Sequence, residues 1–463
     1  MDAAVSRGAA PVTAVEMTED HLLLDSQTFR DLEIFGSEND ELSLYDFCNQ
    51  TRSNGGARVL RRRMQAPWSN AARIHATQDS IRFIIDNRDV FHNLPSYFTA
   101  TRVDRYLREL LPMVTDEGPV EFAFGALSLW MNYDSHYLSI VRGVQFTSAM
   151  VRVLRRLVAV TEAAKPVGEL ADLIDEMREL LARPMVQRVT PKRVASWAWV
   201  MLRLDQGFRL HDKRTITRLL ELAYEIDALV SMADVTVRQG FVMPEIETGP
   251  LRMRGEGLVH PYIHNPVANP VELDQVRRVL FLTGPNMAGK TTYLRAVATA
   301  LYLGHLGMGV PARQFSFVPA QRLYSSISLF DDLREGVSYF RAEALRVKTV
   351  AEAVADGYRV IALMDEPFKG TNIKDAFDAS LAVLERFAVK QDCLFVFSSH
   401  LIELSEQVAR ADALDCRYFA AEESGGRLRF DYVLRPGISD QRLGMRVLRE
   451  EGVFDLLDKP RKS

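Results

Sequence analysis

The sequence predicts an α plus α/β chain, with a helical N-terminal region followed by a domain built on a parallel sheet. Three observations lead there. From about Leu22 to Ala233 apolar residues recur at spacings of three and four with few β-branched runs, the mark of amphipathic helices. Beyond GFVMPEIETGP, short apolar runs (RVLFL, RVIALM, CLFVFSS) alternate with helical stretches, the rhythm of a parallel sheet covered by helices. The first of these runs leads straight into a glycine-rich loop that opens a helix. The change of texture divides the chain into a flexible tail over 1–25, a helical region over 26–241 and an α/β domain over 242–463.

In chain order, Ser43 with Asp46 three positions on predicts the cap of a short helix, SLYDFCNQT. Gly55-Gly56 then introduces ARVLRRRMQ, which Pro67 closes. YLSIVRGVQFTSAMVRVLRRLVAVTEAAK carries Leu138, Val141, Met150, Leu154 and Leu157 on one apolar stripe and ends before Pro166. A last helix, RTITRLLELAYEIDALVSMADVTVR, runs up to the break QGFVMPEI. These read as helices of a bundle or lever. No repeat or sustained heptad array is present, which argues against long coiled-coil arms.

With 47% hydrophobic and 25% charged residues, the 463-residue chain has the balance of a core-forming protein of two or three domains. A net charge of −4 gives no global attraction to nucleic acid, so any such contact needs a local basic surface. Arg58, Arg61, Arg62 and Arg63, and Arg152, Arg155 and Arg156, are the clusters available, and such clusters are more often solvated helix faces than phosphate contacts. Cys48, Cys393 and Cys416 show neither disulfide-framework nor zinc spacing and read as buried thiols in a reducing compartment. The first residues lack a basic start followed by an apolar core, and no run approaches membrane-span length, so a cytoplasmic protein without membrane contact is expected.

The chemistry sits in the α/β part. RVLFLT, then Gly284, Pro285, Asn286, Met287, Ala288, Gly289, Lys290, Thr291 and Thr292, then a helical run, is strand, G-x-x-x-x-G-K-[ST] loop and helix in the order a phosphate cradle requires. Backbone N–H groups of such a loop converge on phosphate at the positive end of a helix, Lys290 neutralises its oxygens, and the Thr291 hydroxyl suits a Mg²⁺ position. VIALMDEPFKGT ends an apolar strand on Asp365 and Glu366: the first fits the orientation of Mg²⁺, the second a carboxylate that positions or deprotonates an attacking water. Alone, that pair would read as a solvated turn. CLFVFSSHLIEL ends a third strand on His400, either a γ-phosphate sensor or a capping or core histidine. Ser338, ahead of a helix, can present N–H groups to an anion or act as an ordinary N-cap.

At these residues the chain resembles the MutS family of DNA mismatch-repair ATPases. TGPNMAGKTTYLR is similar to that family's phosphate loop, with Ala288 where a glycine is usual and Thr291 for a common serine. DDLREGVSYFRAEAL resembles its signature segment, LMDEPFKGTNIKD its Walker B stretch, FSSHLIEL its switch histidine and FDYVLRPGISDQRLGMRVLREEGV its closing segment. Upstream, GLVHPYIHNPVANPVEL resembles the start of the ATPase domain, where Pro266 occupies a position often held by an adenine-packing aromatic. TFRDLEIFGSENDELSLYDFCNQTRSNGGARVLRRRMQAPWSN resembles the first part of the family's core domain. The resemblance covers roughly 27–70 and 219–453. It implies a P-loop NTPase of the ABC type that hydrolyses ATP with Mg²⁺, as a homodimer in which Ser338 reaches the opposite subunit's γ-phosphate. It also implies a clamp or sensor on mismatched, branched or distorted DNA. Only about two dozen residues precede the core domain, so a reduced form without the mismatch-reading and connector domains is expected. The alternative is a nucleotide-switched scaffold for a protein or ribonucleoprotein.

Overall fold

The computed structural model describes residues 19–36, 42–132, 134–190, 198–327, 339–400, 404, 407, 413–424, 427–439, 441, 448–449 and 452–457. Ser338 therefore lies outside the described residues. Among these residues no helix is long and apolar enough to cross a membrane.

The first region is helical: α1 (Ser26–Asp31), α2 (Leu44–Cys48), α3 (Asn54–Gln65), α4 (Ala71–Asp86), α5 (Tyr97–Arg108), α6 (Pro119–Asn132), α7 (Asp134–Ala163), α8 (Glu169–Leu181), α9 (Pro184–Gln187), α10 (Ala198–Gln206) and α11 (Lys213–Arg238). Ser43 and Asp46 form a reciprocal capping box at α2. The glycine pair in α3 has a reason beyond helix initiation. A Cβ on Gly55 would lie 2.2 Å from the Tyr224 ring, and one on Gly56 2.2 Å from the Asp227 carboxylate, so α3 approaches α11 more closely than any side chain permits. Asp227 closes the joint by accepting from Arg52 N at 2.9 Å and Ser53 Oγ at 2.7 Å. In α7, Met150, Leu154 and Leu157 are buried as the stripe predicts, but Leu138 is 46% exposed: at this end of the helix Ile140 and Val144 take the core-facing positions and Leu138 lies off that face.

The α/β region carries a seven-stranded sheet in the order β1-β7-β8-β9-β5-β10-β11, from β1 (Leu23–Leu24), β5 (Val279–Thr283), β7 (Arg322–Ser326), β8 (Val360–Asp365), β9 (Cys393–Ser398), β10 (Leu414–Ser424) and β11 (Arg427–Pro436). All neighbours are parallel except β10 and β11. A smaller sheet orders β2 (Glu245–Ile246), β6 (Gln314–Phe317), β3 (Met253–Leu258) and β4 (Asn269–Leu273) as β2-β6-β3-β4. The helices here are α12 (Lys290–His305), α13 (Tyr339–Ala355), α14 (Ile373–Ala388) and α15 (Val453–Leu457).

The tail expected over 1–25 differs from the structure at its end. Leu23 and Leu24 pair with Arg322 and Leu323 as an added edge strand, and Leu22 is fully buried. An open sheet edge offers unpaired peptide groups, and the LLL run gives this segment the apolar side chains to stay on it. Leu23 and Leu24 are thus part of the α/β sheet. One apolar core likewise runs from Met64, Ile74 and Leu229 into Leu303 and Met308, joining the helical region to α12.

Candidate nucleotide site

β5 lies inside the sheet between β9 and β10, and all five of its residues are buried. Register fixes what reaches the edge: Leu282 pairs with Ser398 on β9, and Ser398 pairs with Asp365 on β8. The glycine loop after β5, the acidic pair after β8 and the Ser-Ser-His run after β9 therefore emerge at one level of the carboxyl edge, where open α/β sheets hold their ligands.

In the loop, Gly284 has φ +139°, and a Cβ there would fall 2.7 Å from the carbonyl oxygen of Phe419. Gly289 has φ +103° and caps α12 without any side-chain acceptor. Met287 also takes a positive φ, +69°, and is exposed, whereas Ala288 is buried. Lys290 is only 5% exposed; its Nζ donates to Gly284 O at 2.8 Å and Pro285 O at 3.2 Å and lies 3.4 Å from Glu366 Oε1. Thr291 and Thr292 line the cleft beside it.

Asp365 accepts from Thr291 Oγ1 at 2.5 Å and from the Ser398 hydroxyl. Glu366 stands at φ +49°, its N–H donating to Ser398 O at 3.2 Å and Ser398 Oγ at 3.0 Å. His400 Nδ1 lies 3.5 Å from Glu366 Oε2. The imidazole contact, followed by the Lys290 charge, outweighs partial burial and holds the Glu366 carboxyl at about 2. The same contact raises the His400 pKa above the ordinary imidazole value. At neutral pH Glu366 is thus a carboxylate, able to accept a hydrogen bond from water.

Of these residues, Pro285, Met287, Gly289, Lys290, Thr291, Thr292, Asp365 and Glu366 line a cleft of about 790 Å³. Ile263, Pro266, Val267, Phe419 and Tyr432 line the same cleft. Tyr432 has no counterpart in the sequence reading. It takes φ +57° on β11, and Asn269 clamps its flanks, donating to Tyr432 O at 2.9 Å and accepting from Leu434 N at 2.7 Å. Its ring comes within 3.2 Å of where a Cβ on Gly289 would stand. A single tyrosine in a strand carries no sequence signal; only the fold brings it to the loop.

The basic clusters are largely engaged within the chain. Arg61 lies over the rings of Phe35 and Tyr45, at 4.4 and 5.4 Å. Arg62 pairs with Glu225, Arg63 bonds Glu169 at 3.0 Å and Glu225 at 3.2 Å, and Arg155 donates to Val186 O at 2.7 Å. Arg58 and Arg156 are exposed, and Arg152 is partly buried.

Two family models match the chain: MutS domain III over residues 27–356 and MutS domain V over residues 280–457. Among curated proteins, the DNA mismatch repair protein MutS of Natronomonas pharaonis is 30% identical over 233 residues, covering 50% of this chain and 27% of that protein. Those of Nitratidesulfovibrio vulgaris strains DP4 and Hildenborough are 31% identical over 243 residues, 51% of this chain and 26% of theirs. The chain spans about a quarter of the length of these relatives. With the domain III model alone matching well over half of its residues, the chain belongs to the MutS family.

Proposed function

We propose that this protein hydrolyses ATP with Mg²⁺ in a homodimer and uses the cycle to switch a surface that binds mismatched, branched or distorted DNA. The observation that carries this reading is the convergence of Lys290, the Thr291–Asp365 pair and the Glu366–His400 pair on one cleft edge, with contacts of 2.5 to 3.5 Å. Thr291 and Asp365 offer hard oxygen donors already facing one another. Among the described residues no group of three His, Cys, Asp or Glu could cage a metal. Few protein ligands, with phosphate and water completing the shell, is the pattern that suits Mg²⁺. When bound, Mg²⁺ neutralises phosphate charge during transfer.

The chain's own residues do the rest. Lys290 exchanges its two loop carbonyls for phosphate oxygens, leaving Glu366. That carboxylate then orients a water against the γ-phosphorus, with His400 holding its other oxygen. The water's oxygen bonds to phosphorus, the bond to ADP breaks, and ADP, inorganic phosphate and a proton are released. On the family resemblance, Ser338 of each subunit completes the other's site, so binding joins the subunits and hydrolysis parts them.

A second reading, a nucleotide-switched scaffold for a protein or ribonucleoprotein, is favoured by α6. Val120, Phe124, Leu127, Trp130 and Met131 are each at least half exposed there, while several candidate phosphate-contacting arginines have partners inside the chain. One experiment separates the readings: phosphate release and chain mass with and without ATP·Mg²⁺, alongside binding to homoduplex, mismatched, branched and single-stranded DNA and RNA at two ionic strengths. Steep loss of DNA affinity with salt supports the first reading. A flat response or no binding supports the scaffold, and a nucleotide-insensitive monomer that releases no phosphate overturns the ATPase reading.

A further inference from the structure

The loop that carries Glu366 is bent against its backbone preference. Glu366 at φ +49° and Phe368 at φ +67° place two non-glycine residues in the left-handed region within three positions. Such a conformation persists only where the surroundings over-determine it. At the front, Ser398 accepts the Glu366 N–H through both its carbonyl and its hydroxyl. At the back stands Glu343, whose two carboxylate oxygens each accept one peptide N–H: Oε1 from Lys369 and Oε2 from Gly370, both at 3.1 Å.

Glu343 is almost fully buried, at 2% exposure. Burying a carboxylate is costly unless its oxygens are bonded, and here the two oxygens grip two successive peptides of one loop. A ring contact reinforces the grip, with Phe340 5.8 Å from Phe368. Both Phe340 and Glu343 lie in the opening turns of α13, directly after the segment whose serine the family resemblance assigns to the opposite subunit's phosphate.

We propose that Glu343 is a positioning residue for hydrolysis, anchoring the 368–370 backbone so that Glu366 stays at the cleft and tying that carboxylate to the start of α13. The inference deepens the ATPase reading and rests on it. It gives the dimer a physical route between its two sites: a shift of α13 on engaging the partner's nucleotide pulls the loop of the chain's own hydrolytic carboxylate. Glu343 bonds the peptides of Lys369 and Gly370 and not the phosphate loop, so the first contacts with nucleotide should depend little on Glu343.

The test uses the full-length chain and compares wild type, E343Q and F340L in ATP turnover, fluorescent-nucleotide titration and thermal melting. E343Q retains side-chain size but replaces one acceptor with a donor that faces a peptide N–H. Its kcat should fall about tenfold to a hundredfold while KM and nucleotide affinity stay within about twofold. F340L loosens the same contact without touching the charge and should show a smaller loss confined to kcat. Unchanged kcat in E343Q, or binding and kcat lost in parallel, overturns the proposal. If E343Q does not fold, F340L decides: a kcat-only loss supports the proposal and wild-type turnover overturns it. Wild-type protein that releases no phosphate removes the ATPase reading and this inference with it, whereas normal wild-type turnover with an indifferent E343Q removes Glu343 alone.

Discussion

The two ends of α12, a helix of 16 residues, are built to opposite requirements. Its N-terminus opens on the cleft with a glycine cap, no capping side chain, and a buried lysine whose hydrogen bonds go to two carbonyls of its own loop. Its C-terminus is bonded into the helical region. His305 Nδ1 donates to Trp68 O at 2.6 Å, Trp68 N donates back to His305 O at 3.0 Å, and the Tyr302 hydroxyl donates to Met64 O. Between them, Arg295 pairs with Glu33 at 3.2 Å. A helix end left without a cap is ready for an anionic ligand, and an end with its bonds already made cannot shift without moving its neighbours. On the proposed function, the contrast suits a rod that takes in nucleotide at one end and moves the helical region at the other.

The largest effects are expected at the open end. Lys290→Ala removes the ammonium from beside the loop carbonyls and should weaken ATP binding at least about a hundredfold, measured by calorimetry. Undiminished affinity would mean that the open end is not the phosphate cradle. Next, Glu366→Gln leaves the loop and Lys290 in place, so nucleotide should still bind within severalfold. Steady-state phosphate release should fall about 10²- to 10³-fold, because a carboxamide cannot accept the water's proton, and the ATP-bound dimer should accumulate in sedimentation. Wild-type release rates in that variant would take Glu366 out of the chemistry.

Much of this contrast was legible in the residues before any fold was known, but unevenly. The three strand ends stand out because apolar runs that stop abruptly in Gly284, Asp365-Glu366 and Ser398-Ser399-His400 have one simple arrangement, a buried parallel sheet with a polar edge. The α2 cap was legible because Ser43 and Asp46 meet through local geometry alone. What stayed hidden depends on partners far along the chain. A two-residue strand such as β1 has no periodicity to detect, and its partner is some 300 residues away. Tyr432, Glu343 and Arg61 over Phe35 and Tyr45 have meaning only in contact. Gly55-Gly56 is the instructive intermediate, since the pair was visible but its reason, Tyr224 and Asp227, was not.

That glycine pair supplies the third prediction, at the bonded side of the molecule. Gly55→Ala sets a methyl against the Tyr224 ring and should destabilise the fold by about 1–3 kcal/mol, read as a lowered urea midpoint with unchanged slope. Nucleotide affinity of the folded fraction should not change, because neither Gly55 nor Tyr224 lines the cleft. A stability equal to wild type would show that α3 does not press on α11 as closely as described.

The smallest effect concerns His305 and appears only in acid. Burial, opposed in part by the Trp68 carbonyl, depresses its pKa to about 4, against about 6.5 for the unfolded chain. The hydrogen bonds agree: Nδ1–H donates to Trp68 O, and Nε2 is left as acceptor for the Ala320 N–H at 3.4 Å, so the ring fits as the neutral tautomer. Because the folded value is the lower, the contribution to stability is complete above pH 6.5 and is lost as pH falls from there through about 4. His260, half-buried and likewise depressed to about 4, adds a loss of the same sign. Acid also titrates carboxylates held by arginines, so the informative quantity is the difference between wild type and His305→Gln. Glutamine can give and take one hydrogen bond but cannot gain a proton. At pH 7.5 the variant should be the less stable of the two, through imperfect packing. By pH 5.5 the gap should narrow by roughly 1 kcal/mol, because only the wild type has begun to bind the extra proton on unfolding. A gap independent of pH would mean that His305 is not held neutral, and that the bonded end of α12 is looser than the described contacts require.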